Sequence, residues 1–222
     1  MKKKGSFSSL SGKKKVEYVW DYYRLHILFG LCGIAATLSL ITNWISYREP
    51  ILDMIMVNNG VVRTDEKQNE AVGTLAGFDE FLTTYGYEVY DNAVNVEASL
   101  YFTGDKDDYD TAQVLSVMLA SGSRDMLFAP EDVFLTYACQ GAAADLTNML
   151  SEELLEKVAA QLVYAEKLDG SGSFPCGIRL SDNPWMKANG YYLFGECVVG
   201  VLSLSDNYQA ATDFLTFLLS VE

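Results

Sequence analysis

Hydrophobic residues in the first part of the chain follow patterns that are typical of strands. Residues 51–57 are almost continuously apolar, as expected of a strand covered on both faces. From Val94 to Phe102 apolar and polar residues alternate strictly, which predicts a strand with one solvent-exposed face near an edge of the sheet. Residues 126–129 predict a short buried strand that ends at Pro130.

Apolar residues at helical spacing lie between and after these strands, with capping residues at the ends of each segment. Five helices are predicted: from Thr64 or Asp65 to Gly86, from Asp108 or Asp110 to Gly122, from Glu131 to Gly141, from near Ser151 to about Leu162, and from Asn207 towards the C-terminus.

Two further apolar strands are predicted around a polar, aromatic excursion at residues 181–197. The predicted order is β-α-β-α-β-α-α-β-β-α, and alternating strands and helices favour right-handed parallel crossovers. Because the excursion is too short for a crossover, one strand of its pair should be antiparallel. The predicted fold class is therefore α/β, a mostly parallel open sheet with helices on both faces.

The longest apolar segment lies near the N-terminus. Residues 27–45 contain 19 consecutive uncharged residues, enough to cross a hydrocarbon layer of about 30 Å. A buried core helix and a cleaved signal peptide are the alternatives. A permanent transmembrane helix is favoured because the run is longer than a usual signal-peptide core and no A-x-A cleavage motif follows it.

The charge distribution predicts the orientation of this segment. Residues 1–24 contain seven basic and two acidic side chains, whereas the remainder contains 9 basic and 28 acidic ones. The positive-inside rule predicts a basic cytoplasmic tail at 1–24, a transmembrane helix at 25–47 and an extracytoplasmic α/β domain at 48–222 in the cell membrane. Nucleic acid is excluded as a partner, since an acidic domain repels phosphates.

Part of the chain resembles a known family. RDMLFAPEDVFLTYACQGAAADLTNML, residues 124–150, resembles the segment of bacterial extracellular solute-binding proteins in which a strand ends at the ligand cleft. AQVLSVMLASGS and the terminal NYQAATDFLTFLLS are similar to helices of those proteins. KVEYVWDYYR, the apolar span and EPILDMIMVNN resemble uncharacterised single-pass membrane proteins of Gram-positive bacteria that carry one such domain outside. The resemblance implies a single solute-binding-protein-like lobe.

The excursion has a specific meaning under this resemblance. A two-lobed solute-binding protein leaves its first lobe near GIRL, residues 177–180, and returns through a strand like VVGVLSL, residues 198–204. Residues 181–197 are too few for a second lobe, so the resemblance implies the remnant of a missing lobe.

Side-chain chemistry argues against common catalytic sites. The only histidine is His26, at the boundary of the apolar segment, and the cysteines lack metal-ligand spacing. Counting from Asp105, the acidic loop GDKDDYD lacks the sixth-position glycine and twelfth-position glutamate of an EF-hand. We therefore predict no catalytic residues, no metal ligands and no cofactor.

Candidate binding residues lie where the predicted strands end and within the excursion, because open α/β sheets bind ligands beyond the carboxyl ends of their strands. Turn chemistry, helix capping and packing are the alternative roles for these side chains. The candidates are Asn58, Asn59, Asp105, Glu131, Asp132, Asn183, Trp185, Tyr191 and Tyr192.

Two functions follow from these features. The preferred prediction is a non-catalytic, membrane-anchored binding or interaction domain derived from one solute-binding lobe. Its partner would be either another envelope protein or a small solute. The alternative is a carboxylate-dependent cell-surface hydrolase acting on glycan or cell-wall material. A purely structural envelope component is a third possibility, which the sequence does not separate from the first.

Overall fold

The computed structural model describes residues 12–59, 77–104, 108–180, 183–192 and 196–220. The chain divides into two compact units, Met1–Arg48 and Glu49–Glu222. A single long helix, α1 (Gly12–Ser46), forms the described part of the first unit.

Within α1, Tyr23–Thr42 form a 20-residue stretch that is long and apolar enough to cross a membrane. The hydroxyl of Thr37 donates to the carbonyl of Gly33 (2.8 Å), which satisfies that polar group within the helix. By length and composition α1 is compatible with a membrane anchor, and equally with a signal sequence or the core helix of a soluble protein.

The second unit contains six strands with helices between them. The strands are β1 (Leu52–Met56), β2 (Val94–Glu97), β3 (Met126–Ala129), β4 (Leu162–Glu166), β5 (Ser173–Leu180) and β6 (Cys197–Val201). The helices are α2 (Phe78–Thr84), α3 (Asp108–Ala120), α4 (Glu131–Ala138), a 3-10 turn (Leu146–Asn148), α5 (Glu152–Lys157), α6 (Pro184–Ala188) and α7 (Tyr208–Ser220).

These strands form one open, mixed sheet with the order β2-β1-β3-β6-β5-β4. β1 pairs in parallel with β2 and with β3, whereas β6 is antiparallel to β3 and to β5, and β4 is antiparallel to β5. Four strands, β1, β2, β3 and β5, therefore run in one direction and two run against them. The predicted antiparallel pairing across the excursion is confirmed.

Several sequence predictions need correction. Leu162 was expected to extend a helix, but it begins β4, in which Val163 and Ala165 are buried while Tyr164 and Glu166 are exposed. That alternation over five residues was obscured by the helical spacing of the preceding leucines. The turn after β4 closes through the Lys167 amide, which donates to the Gly172 carbonyl (2.8 Å).

Helix α6 was also missed, because it is only five residues long and lies within a polar stretch. β2 is shorter than the predicted strand and ends at Glu97, at one edge of the sheet as expected. The helix predicted from Thr64 or Asp65 is described only from Phe78, and its predicted beginning lies outside the described residues.

Helices cover both faces of the sheet. Residues of α2, α6 and α7 pack with Leu52, Met54 and Met56 on one face. Residues of α3 and α4 pack with Ile55 and Val57 on the other face. This arrangement agrees with the predicted α/β class, and it buries all of β3 and all of β1 except the partly exposed Asp53.

Two glycines allow α4 to lie close to the antiparallel half of the sheet. An added Cβ at Gly177 would lie 2.6 Å from a Val198 methyl and 2.9 Å from the Phe134 ring. At Gly200 it would lie 2.5 Å both from the Phe134 ring and from the Cys176 carbonyl oxygen. Since cores are close-packed, the Phe134 ring occupies the space that side chains at these two positions would need.

Candidate functional site

The chain order of the parallel strands creates a crevice between β1 and β3. From β1 the chain passes through α2 to β2 on one side, and then returns through α3 to β3 on the other side. α2 packs on one face of the sheet and α3 on the opposite face. The carboxyl ends of β1 and β3 therefore lie at a topological switch point, where open α/β sheets bind ligands.

This crevice holds the side chain of Tyr192. The Tyr192 hydroxyl donates to the Val57 carbonyl (2.6 Å) and lies 3.0 Å from the Phe128 carbonyl. The hydroxyl has one hydrogen to donate. The Phe128 carbonyl already accepts a hydrogen bond from the Val57 amide (2.8 Å), and the contact to the Val57 carbonyl is the shorter one, so we assign the hydroxyl hydrogen to Val57 O. Burial raises the pKa of Tyr192 well above its ordinary value of 10, which keeps the hydroxyl a neutral donor.

Asn59 holds the backbone of Tyr192 in place. Its side chain is 1% exposed, and its Oδ1 accepts a hydrogen bond from the Tyr192 amide (3.3 Å). Its Nδ2 contacts the Met56 sulfur (3.4 Å), while its carbonyl accepts from the Tyr101 hydroxyl (2.9 Å). Asn59 thus lies at the carboxyl end of β1, as predicted. In the structure its side chain joins β1 to the excursion.

Asn58 extends the pairing beyond β1 through its backbone amide, which donates to the Leu100 carbonyl (2.9 Å), and through its side chain. It has a left-handed φ of 54°, which asparagine tolerates better than most residues. Its Nδ2 donates to the Phe102 carbonyl (3.0 Å), and its Oδ1 accepts from the Phe102 amide (2.6 Å). Both polar atoms of the side chain are therefore engaged with the segment that follows β2.

Glu131 and Asp132 open α4, directly after β3. The Glu131 carboxylate accepts from Nε (2.9 Å) and Nη2 (2.6 Å) of Arg179, near the end of β5. These side chains are 43% and 31% exposed, so solvent weakens the ion pair. Asp132 is exposed, and Asp105 lies outside the described residues.

The excursion residues lie inside the protein instead of in an exposed loop. Trp185 is 3% exposed and Tyr191 is 4% exposed, with ring centroids 5.4 Å apart in a stacked arrangement. Trp185 also packs edge-on against Phe78 and Phe214. Of the two roles considered from the sequence, packing is the one these rings have in the structure, where they form part of the core beneath α7.

Asn183 is a capping residue. Its Oδ1 accepts from the Met186 amide (3.0 Å) at the start of α6, and its Nδ2 donates to the Leu218 carbonyl (2.8 Å) near the end of α7. The side chain thereby satisfies orphan groups of two helices. Its structural role explains why an asparagine precedes Pro184.

Comparison of this chain with protein-family models, with curated proteins and with solved structures found no match.

The sequence analysis missed a buried polar network at the other end of the strands, where β1 and β3 begin. Asp125, 2% exposed, accepts hydrogen bonds from the Asp53 amide (2.8 Å), the Ser205 hydroxyl (2.7 Å) and the Asn207 side chain (3.2 Å). Asp53 in turn pairs with Arg124. The network joins the beginnings of β1 and β3 to the loop before α7, and its members are too far apart in sequence to form a recognisable motif.

Tyr192→Phe tests how far the crevice hydrogen bond stabilises the protein. We expect the free energy of unfolding to fall by about 1–3 kcal/mol, because the buried Val57 carbonyl loses its hydroxyl donor. Urea denaturation of the full chain measures this change. The control is Tyr208→Phe, which removes a hydroxyl bond to the Ser203 carbonyl on an exposed surface. Equal losses in the two variants would contradict the prediction.

Two of the cysteines are predicted to be unreactive in the folded protein. Burial raises the pKa of Cys176 and of Cys197 to about 12, so both are thiols at neutral pH, and alkylation requires the thiolate. Both cysteines are free, as expected from the sequence. Cys197 pairs with Leu180 across the two strands, and Cys176 lies four residues from Leu180 along β5, so the two sulfurs are not opposite each other.

In a Cys32→Ser chain at pH 8, iodoacetamide should label only the exposed Cys139, and all three remaining thiols after denaturation without reductant. Intact-mass measurement distinguishes these states. A single label after denaturation would reveal a disulfide.

Proposed function

We propose that this protein is a membrane-anchored, non-catalytic binding or interaction domain. The basic tail lies in the cytoplasm, α1 spans the membrane, and the acidic α/β unit lies outside and contacts another envelope protein or a small solute. The observation that carries the non-catalytic assignment is that polar side chains at the carboxyl ends of β1 and β3 bond to other parts of the protein. Asn58, Asn59 and Tyr192 are engaged in hydrogen bonds within the protein.

The available nucleophiles and carboxylates support the same assignment. Cys176 and Cys197 are protonated, and the sequence has one histidine, His26 in α1, to serve as a base. Asp125 accepts hydrogen bonds from three structural donors, and Asp53 is paired with Arg124. These contacts favour a binding domain over the carboxylate-dependent hydrolase.

We also propose that the domain descends from one lobe of a solute-binding protein. The support is its order β2-β1-β3 with a returning antiparallel strand, β6, beside β3. The short excursion between β5 and β6 would then be the remnant of the second lobe. It has been incorporated into the core through Trp185 and Tyr191.

A surface for a partner is expected around Asp132, the exposed acidic residue at the start of α4. A photo-crosslinking amino acid at position 132 in intact cells should join the domain to a specific envelope protein. The control position is Tyr208, an exposed residue at the opposite edge of the sheet. Identical adducts from both positions would contradict a specific contact there.

Catalysis is tested separately. The purified full chain, incubated with isolated cell wall, should release no soluble glycan fragments detectable by mass spectrometry. Release of glycan fragments by the purified chain would establish the hydrolase instead.

Membrane orientation is tested by protease added to intact protoplasts. Because basic residues stay on the cytoplasmic side, we expect loss of the chain beyond about Arg48 and retention of the lysine-rich tail. Antibodies against each end of the chain measure the two fragments. Protection of the acidic unit would contradict the proposed localisation.

A further inference from the structure

We draw no further inference here: the strongest candidate, the exposed apolar surface patch formed by Val114 and Val117 on α3 and by Leu204 beside the end of that helix, carries nothing because no feature of the described residues shows what covers it.

Discussion

Gly200→Ala is expected to destabilise the α/β unit by about 3 kcal/mol or more, or to prevent its folding. The added methyl group would lie 2.5 Å from both the Cys176 carbonyl oxygen and the Phe134 ring. Overpacking of a core costs typically about 1–3 kcal/mol, and a clash with backbone leaves no side chain that can move aside. Urea denaturation measures the loss, followed by Trp185 fluorescence in a chain with Trp20 and Trp44 replaced by Phe.

Gly177→Ala is the matched control for this prediction. The atoms nearest to its methyl group would belong to the side chains of Val198 and Phe134, at 2.6 and 2.9 Å. A smaller residue at position 134 should therefore recover part of the stability of Gly177→Ala, whereas the Cys176 carbonyl remains in the way of Gly200→Ala. Equal recovery of both glycine variants by Phe134→Leu would contradict this account of the packing.

Trp185→Ala is expected to cost about 3–5 kcal/mol of unfolding free energy, the range for deletion of a large buried aromatic residue. The Trp185 ring centroid lies 5.3 Å from that of Phe78, 5.4 Å from that of Tyr191 and 5.5 Å from that of Phe214, so its removal leaves a cavity among three rings. Near-ultraviolet circular dichroism during urea denaturation measures the effect, since these rings dominate that signal.

The control for Trp185→Ala is Tyr164→Ala, at a side chain that is 52% exposed on the edge strand β4. Surface substitutions of this kind usually change stability by less than about 0.5 kcal/mol. If Trp185→Ala were as stable as this control and yet lost contact with a partner, Trp185 would be a binding residue instead of a core residue.

The predictions about the excursion show where sequence reasoning reached its limit. An aromatic residue in a polar stretch fits an exposed anchor and a packing residue equally well, since the sequence around Trp185 and Tyr191 is the same in either case. Contacts with Phe78 and Phe214, which lie 107 and 29 residues away from Trp185, decide between these roles. The same limit applies to Tyr192, whose carbonyl partners belong to β1 and β3.

Local pattern by itself determined the elements with strong periodicity. The apolar runs of β1 and β3, the alternation that begins β2, and the capping signals of α3 and α4 all depend on neighbouring residues, so they could be read directly. The apolar stretch of α1 and the acidic character of the rest are likewise properties of composition. Asn58 and Asn59 could be placed at the carboxyl end of β1 because they directly follow its apolar run.

Tertiary structure alone decided the pairing of distant segments. β4 is a strand because β5 pairs with it, although the leucines that precede it are spaced as in a helix. Asp125 became a buried acceptor only because Asp53, Ser205 and Asn207 converge on it from separate parts of the chain. Tyr192 fills the crevice because strand order creates a switch point there, and strand order depends on long-range burial and hydrogen bonding that no local period encodes.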